Sequence, residues 1–220
     1  MLSARRSAGP IALTFDDGPD PVWTPLVLEA LASVRARATF FVVALRAKRY
    51  PSLLTRMQED GHDVGFHCTK HIRHDTMTTD EIDADVESGL TPLAGSVRLW
   101  RTPWGIVTSA TKAVARKYGL TLVGWTADTG DWRGDTPGEM LGRVEGNLVP
   151  QAIVLMHDGI GPGATRDGCA MTVDIISPLV SLARSRGLEP VPLHELRRPL
   201  PDSNPDPSVS RTGIQLGPLV

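Results

Sequence analysis

Apolar, strand-like runs alternate with helix-period segments about seven times along the 220 residues of the chain. This alternation constrains the fold more than any other feature, because it is the pattern of parallel strands joined by covering helices. "PIALTF" (10–15) reads as the first strand. "TPLVLEALASV" (24–34) reads as a helix, with Thr24 at the N-cap and Pro25 at the first helical position. "ATFFVVA" (38–44) is a second strand and leads to a short helix near 51–60, and "HDVGF" (62–66) is a third strand. The segment 78–93 opens with a Thr78–Glu81 capping box and carries Ile82, Val86 and Leu90 on one helical face. "VRLWR" (97–101) is a fourth strand, and a helix over roughly 108–118 stops at Gly119. "TLVGWT" (121–126) is a fifth strand, before a helix marked by Met140, Leu141, Val144 and Leu148. "AIVLMH" (152–157) is a sixth, and a helix near 172–186 contains Pro178. "LEPVPL" (188–193) is a weak seventh strand whose prolines suit an edge. The expected fold is α/β, a closed or nearly closed barrel of about seven β/α units, with an open doubly wound sheet as the alternative.

The expected organisation is a short extension (1–9), one domain (10–197) and a tail (198–220) rich in Pro and Ser, surface-draped or disordered. A net charge of −2 leaves no basic footprint for nucleic acid or anionic membrane. No apolar run reaches the length of a membrane span. No leader precedes the first strand, so the sequence as it stands reads as cytoplasmic, and as extracellular if a leader has been removed. On that basis a soluble substrate is expected rather than an assembled cell-wall polymer. Cys68 and Cys169 make neither a disulfide framework nor a paired metal spacing, and both read as reduced thiols.

In parallel α/β folds chemistry collects at the carboxyl ends of the strands. Here the first strand ends in Asp16-Asp17, followed by the turn-forming Gly18-Pro19. The third leads to His67 and His71, and the fourth to "RTPWG" (101–105). The fifth runs into Asp128, Asp131 and Trp132, and the sixth ends in His157 and Asp158. Two adjacent carboxylates repel, and partial burial makes the pair costly unless a cation answers it.

His67 and His71 lie four apart, which in a helical turn places both imidazoles on one face. Two His and one carboxylate form an open set for a catalytic Zn²⁺, and one aspartate of the pair completes it. Such a set also accepts Co²⁺ or Ni²⁺. The other aspartate is then free as a base, and Arg101 can hold it through a bidentate contact. His157 stands where an acid acting near neutral pH would be placed, with Asp131 or Asp128 to raise its pKa. Trp104 and Trp132 follow strand ends and can wall a cleft, whereas Trp125 reads as core. His62 reads as structural, His74 as a neighbour of the site or a surface group, and His194 as a cap or surface group.

The set resembles the polysaccharide deacetylase family, also called the NodB-homology domain or carbohydrate esterase family 4. "TFDDGP" (14–19), "HCTKH" (67–71), "RTPWG" (101–105), "DTGDW" (128–132) and "LMH" (155–157) match its five motifs in order. The resemblance covers about residues 10–195. It implies a distorted (β/α) barrel, usually of seven strands, and hydrolysis of N-acetyl groups on chitin, peptidoglycan or their oligomers, or of O-acetyl groups on xylan. It implies Asp16 as general base, Asp17, His67 and His71 as metal ligands, and Arg101 as the residue that orients Asp16. It implies an oxyanion donor in the Trp104 backbone N–H, and His157 as general acid tuned by Asp131. The chain departs from the family pattern at Cys68, usually Ser or Thr, at Trp104, more often Tyr, and in having no Pro after His71. The stretch 157–172 also carries a longer Gly-rich loop than a simple family core needs.

The expected partner is therefore an acetylated carbohydrate, with an amidase acting on a small non-carbohydrate metabolite as the alternative. Two rivals of other classes are weaker. An aspartate-nucleophile phosphatase needs Asp-x-Asp, and Asp16-Asp17 lacks the spacer. A catalytically dead sugar-binding module would not keep every acid, base and ligand position.

Overall fold

The computed structural model describes residues 9–93 and 97–196. The tail expected over 198–220 lies outside them, as do residues 1–8.

The described residues form eight strands: β1 (Gly9–Asp16), β2 (Thr39–Val43), β3 (Asp63–Cys68), β4 (Leu99–Trp100), β5 (Thr121–Leu122), β6 (Ala127–Asp128), β7 (Ile153–His157) and β8 (Leu188–Pro190). Eight α-helices accompany them in the described residues: α1 (Trp23–Ser33), α2 (Ala44–Arg49), α3 (Pro51–Glu59), α4 (Thr79–Leu90), α5 (Ser109–Tyr118), α6 (Pro137–Val144), α7 (Ala170–Ser185) and α8 (Leu193–Leu196). All pairings between strands are parallel, in the order β5-β4-β3-β2-β1-β7-β6. β8 pairs with the first residues of β1, below β7, as its prolines suggest.

The sheet curls into the distorted barrel expected. β5 and β6 stand at its two edges, yet only residues 123–126 separate them, so the chain itself crosses the seam. Of the single strand expected over 121–126 only Thr121–Leu122 forms, and β6 follows beyond it at Ala127–Asp128. The carbonyls of Val123 and Gly124 accept from the Arg101 guanidinium at 3.4 and 2.9 Å instead of from a neighbouring strand.

Strand alternation sorts side chains between two cores. On β1, Ile11, Leu13 and Phe15 face the covering helices and join the large cluster with Val27, Leu28, Ile175 and Leu179. Ala12 faces the other way and packs with Phe41, Val123, Leu193 and Leu196, so α8 plugs the bottom of the barrel. Thr14 and Asp16 continue that inward row, since both meet Arg101. Gly65 is inward on β3, where a Cβ would lie 2.6 Å from the Phe41 ring. The interior thus rises from an apolar plug to a polar rim.

Local sequence explains most helix ends. The Thr78–Glu81 capping box forms as expected, and Gly119 closes α5 at φ 63. The start of α1 differs. Asp20 Oδ1 accepts the N–H groups of Val22 and Trp23 at 2.8 and 3.0 Å, and the helix begins at Trp23. Pro25 is its third residue, still within the turn whose N–H groups lack helical partners. Thr24 is fully buried, and its hydroxyl donates to Asp158. α2 was not evident in the sequence, being only six residues long with no side-chain cap.

Candidate active site

Asp16 is the last residue of β1, beside Phe41 of β2 and His157 of β7 in register. Both Asp16 and Asp17 are 4% exposed. Asp17 follows the strand at φ 74, a left-handed backbone that turns its side chain away from that of Asp16. One carboxylate therefore meets Arg101 and the other meets the histidines.

His67 lies within β3, and His71 on the loop after it. No helical turn joins them, contrary to expectation. The loop is instead held by Asp85 of α4, whose carboxylate accepts the N–H groups of Thr69 and Lys70 at 2.9 and 2.8 Å. The imidazole rings come within 5.1 Å of each other, centre to centre. Asp17 Oδ1 stands 3.5 Å from His67 Nε2 and 3.3 Å from His71 Nε2.

The donor set fits a cation. His67 Nδ1 lies 2.7 Å from the Arg101 carbonyl, which can only accept, so that nitrogen carries the proton and Nε2 presents a lone pair. Burial lowers the His67 pKa and keeps the ring neutral. Asp17 Oδ1 is buried and has no hydrogen-bond partner. Burial alone would raise the Asp17 pKa, but the neighbouring histidines outweigh it and hold the carboxyl below its usual range. One ligand atom from each of Asp17, His67 and His71 lies within 4.8 Å of the others. Lone pairs converging on a partnerless carboxylate oxygen are what a metal ion satisfies.

Arg101 is fully buried in the barrel. Its Nη1 donates to Asp16 Oδ1 at 2.9 Å and to Thr14 Oγ1 at 2.7 Å, while Nε and Nη2 serve the seam carbonyls. The contact to Asp16 is therefore single, not the bidentate fork expected. It leaves Asp16 Oδ2 outside the Arg101 contact.

On the opposite wall His157 Nδ1 lies 2.8 Å from Asp131 Oδ1, and its backbone N–H donates to Asp131 Oδ2 at 2.9 Å. Burial would lower the His157 pKa, but the Asp131 charge and hydrogen bond, with Asp16 and Asp17 beyond, raise it to about 9. Burial would raise that of Asp131, but His157, Arg166 and Thr172 bring it to about 2. Asp128, the other candidate partner, turns to its own loop and accepts the Gly130 N–H at 2.7 Å.

Asp16, Asp17, His67, His71, Asp128 and His157 line one cleft of about 370 Å³, whose wall includes Trp104, Trp125, Trp132 and Leu155, while Arg101 and Asp131 are buried behind it. Trp104 is 40% exposed and meets His71 edge-on at 4.3 Å. It sits at φ 53 in a turn bonded from Gly105 N–H to Thr102 and from Ile106 N–H to Pro103, bonds in which its own N–H takes no part. Trp125 lines the cleft rather than the core, because the seam between β5 and β6 turns it inward, 5.7 Å from the Arg101 guanidinium. His62 is structural as expected, accepting the Ala38 N–H at 3.0 Å, and burial lowers its pKa to about 4. His74 is buried against Trp100, and exposed His194 pairs with Asp63. Both cysteines are free and buried.

Three groups carried no sequence signal. Arg166 Nη1 donates to Asp131 Oδ2 at 2.9 Å, and Thr172 donates to the same oxygen at 2.7 Å. Arg46 Nη1 donates to the Asp17 carbonyl at 2.7 Å. All three reach the site across long sequence separations from positions without periodic or motif context.

The family model described as polysaccharide deacetylase matches residues 3–123. A chitooligosaccharide deacetylase of Azorhizobium caulinodans is 34% identical over 194 residues, covering 83% of this chain and 92% of that protein. The chain belongs to the polysaccharide deacetylase family. It is accordingly a hydrolase of the deacetylase class, and the resemblance drawn from its five motifs holds. A peptidoglycan-N-acetylglucosamine deacetylase of Bacillus cereus is 32% identical over 193 residues, covering 86% of this chain and 88% of its own. The family 4 carbohydrate esterase of Streptomyces lividans, solved in complex with acetate, superposes with a TM-score of 0.75 at 28% identity, over 83% of this chain and 91% of that one. Among the described residues no helix of this deacetylase is long and apolar enough to cross a membrane.

Proposed function

We propose that this deacetylase removes acetyl groups from N-acetylated amino-sugar oligomers or polymers, using a divalent metal, Zn²⁺ before Co²⁺ or Ni²⁺, held by Asp17, His67 and His71. The observation that carries the reading is the division of labour between the adjacent aspartates. Asp17 faces two imidazole nitrogens, whereas Asp16 faces a guanidinium. A metal held by the first group would supply Lewis acidity toward a carbonyl oxygen and lower the pKa of a water.

The chain's own groups account for the proton transfers. Asp16, oriented by Arg101 on Oδ1, takes the proton of the attacking water. The backbone N–H of Trp104 donates to the oxyanion as the carbonyl carbon becomes tetrahedral. His157, kept protonated by Asp131, gives its proton to the leaving amine. Acetate and a free amine result, with no covalent bond to the protein. Trp104 and Trp132 offer apolar faces to a sugar ring beside the acetyl group. Two of the relatives named above are a chitooligosaccharide deacetylase and a peptidoglycan-N-acetylglucosamine deacetylase, and the small-metabolite alternative finds no support in them.

The test is acetate release from N-acetylglucosamine oligomers, acetylated xylan and simple N-alkyl acetamides under the same conditions. The reading predicts turnover on the amino-sugar oligomers well above the other two. Preference for simple amides would overturn it.

A further inference from the structure

Asp17 is held in its left-handed conformation from outside its own strand. Arg46, on α2, donates from Nη1 to the Asp17 carbonyl at 2.7 Å and from Nη2 to the Ile160 carbonyl at 2.8 Å. These acceptors lie 29 and 114 residues from Arg46, and the second is on the Gly-rich loop after β7. The guanidinium is a rigid fork, so satisfying both carbonyls fixes the Asp17 peptide relative to that loop. The loop is drawn in so far that Gly159 and Gly161 leave no room for a Cβ. A Cβ on Gly159 would lie 2.6 Å from the Asp17 carbonyl oxygen and 2.6 Å from Arg46 Nη1, and one on Gly161 would run into the Asp17 carboxylate. A residue at φ 74 other than Gly occupies a sparsely populated conformation and persists only where its surroundings over-determine it. Arg46 and the two glycines are those surroundings.

We propose that Arg46 is a positioning residue for the metal ligand Asp17: by clamping the Asp17 and Ile160 carbonyls together it aims the partnerless Oδ1 at His67 and His71. This rests on the reading of those three residues as the metal site. It also has a sign that charge alone would reverse. A nearby cation repels a divalent metal, so if Arg46 acted only through its charge, removing it would tighten metal binding. A clamp predicts the opposite.

The experiment is titration of the metal-free protein with Zn²⁺ in competition with a chromophoric chelator, on the wild type, Arg46→Lys and Arg46→Met, with near-ultraviolet circular dichroism to establish folding. Outer groups that orient a ligand typically contribute ten- to a hundredfold in metal affinity. Both variants are expected to bind Zn²⁺ about tenfold more weakly or worse. Arg46→Lys loses affinity although it keeps the charge, because its single nitrogen lacks the rigid planar fork that serves the two carbonyls from separate nitrogens. Should Arg46→Met fail to fold, Arg46→Lys carries the test alone. Wild-type affinity or tighter binding in the folded variants overturns the role of Arg46 and leaves the metal site standing. Failure of the wild type to bind Zn²⁺ overturns the metal site and the role together.

Discussion

Asp131 accepts from His157 twice, at 2.8 Å from the ring Nδ1–H and at 2.9 Å from the backbone N–H. The two bonds fix the ring's tautomer and its position together, so Nε2 is the nitrogen left for the cleft. Burial opposes the imidazolium, and Asp131 more than offsets it, lifting the pKa from 6.5 to about 9. Because the folded value is the higher one, the pair's stabilisation is complete below about pH 6.5 and is lost as pH rises through about 9.

Asp131→Asn should therefore bring the alkaline limb of the kcat/KM profile down from near pH 9 toward neutrality. His157→Ala should remove that limb and lower the rate by roughly two to four decades. Rate profiles over pH 5–10 check both, and a limb unmoved in Asp131→Asn would mean that another group titrates there.

The adjacent aspartates should separate cleanly. Asp16→Asn is expected to keep the metal while losing roughly two to four decades of turnover, because it removes the base and not a ligand. Asp17→Asn is expected to weaken metal binding. Metal content by elemental analysis beside steady-state rates distinguishes them, and equal metal loss in both would show the roles to be misassigned.

His67→Ala and His71→Ala should each lose metal and activity together. His67 should cost more stability, since its ring also bonds the Arg101 carbonyl inside the barrel, whereas the described contacts leave His71 Nδ1 unpartnered. Elemental analysis with thermal melts of the metal-free proteins reads both effects.

Arg101→Met should destabilise the fold by about 3–5 kcal/mol, the usual cost of stranding one partner of a buried ion pair. It strands Asp16 and also frees the seam carbonyls of Val123 and Gly124. Denaturant unfolding checks this, and a loss below about 1 kcal/mol would place water in the barrel.

What could be read from the sequence was what is local. Strand periodicity ends each apolar run at or beside a polar or ionisable residue, which places Asp16, His67, Arg101 and His157 at one rim. The Thr78–Glu81 box and Gly119 marked their helix ends because capping is settled within a few residues. Thr24 misled because its hydroxyl is engaged with Asp158, far away in sequence, while Asp20 did the capping. The four-residue spacing of His67 and His71 pointed to two neighbouring rings, and the rings are neighbours, but Asp85 and not a helical turn shapes that loop. Arg46, Arg166 and Thr172 were invisible for the same cause: an arginine that serves backbone carbonyls or shares a carboxylate leaves no trace in its neighbours. Trp125 read as core because its strand did, and only the seam between β5 and β6 turns it to the cleft.

The most direct test of the account is acetate release from N-acetylglucosamine oligomers by wild-type protein, by protein stripped with a chelator, and by the stripped protein resupplied with Zn²⁺, with zinc-loaded Asp16→Asn in parallel. The account predicts release by the wild type, none after stripping, recovery on adding Zn²⁺, and no recovery in zinc-loaded Asp16→Asn. Release that persists in the fully stripped protein, or wild-type rates in Asp16→Asn, would contradict it.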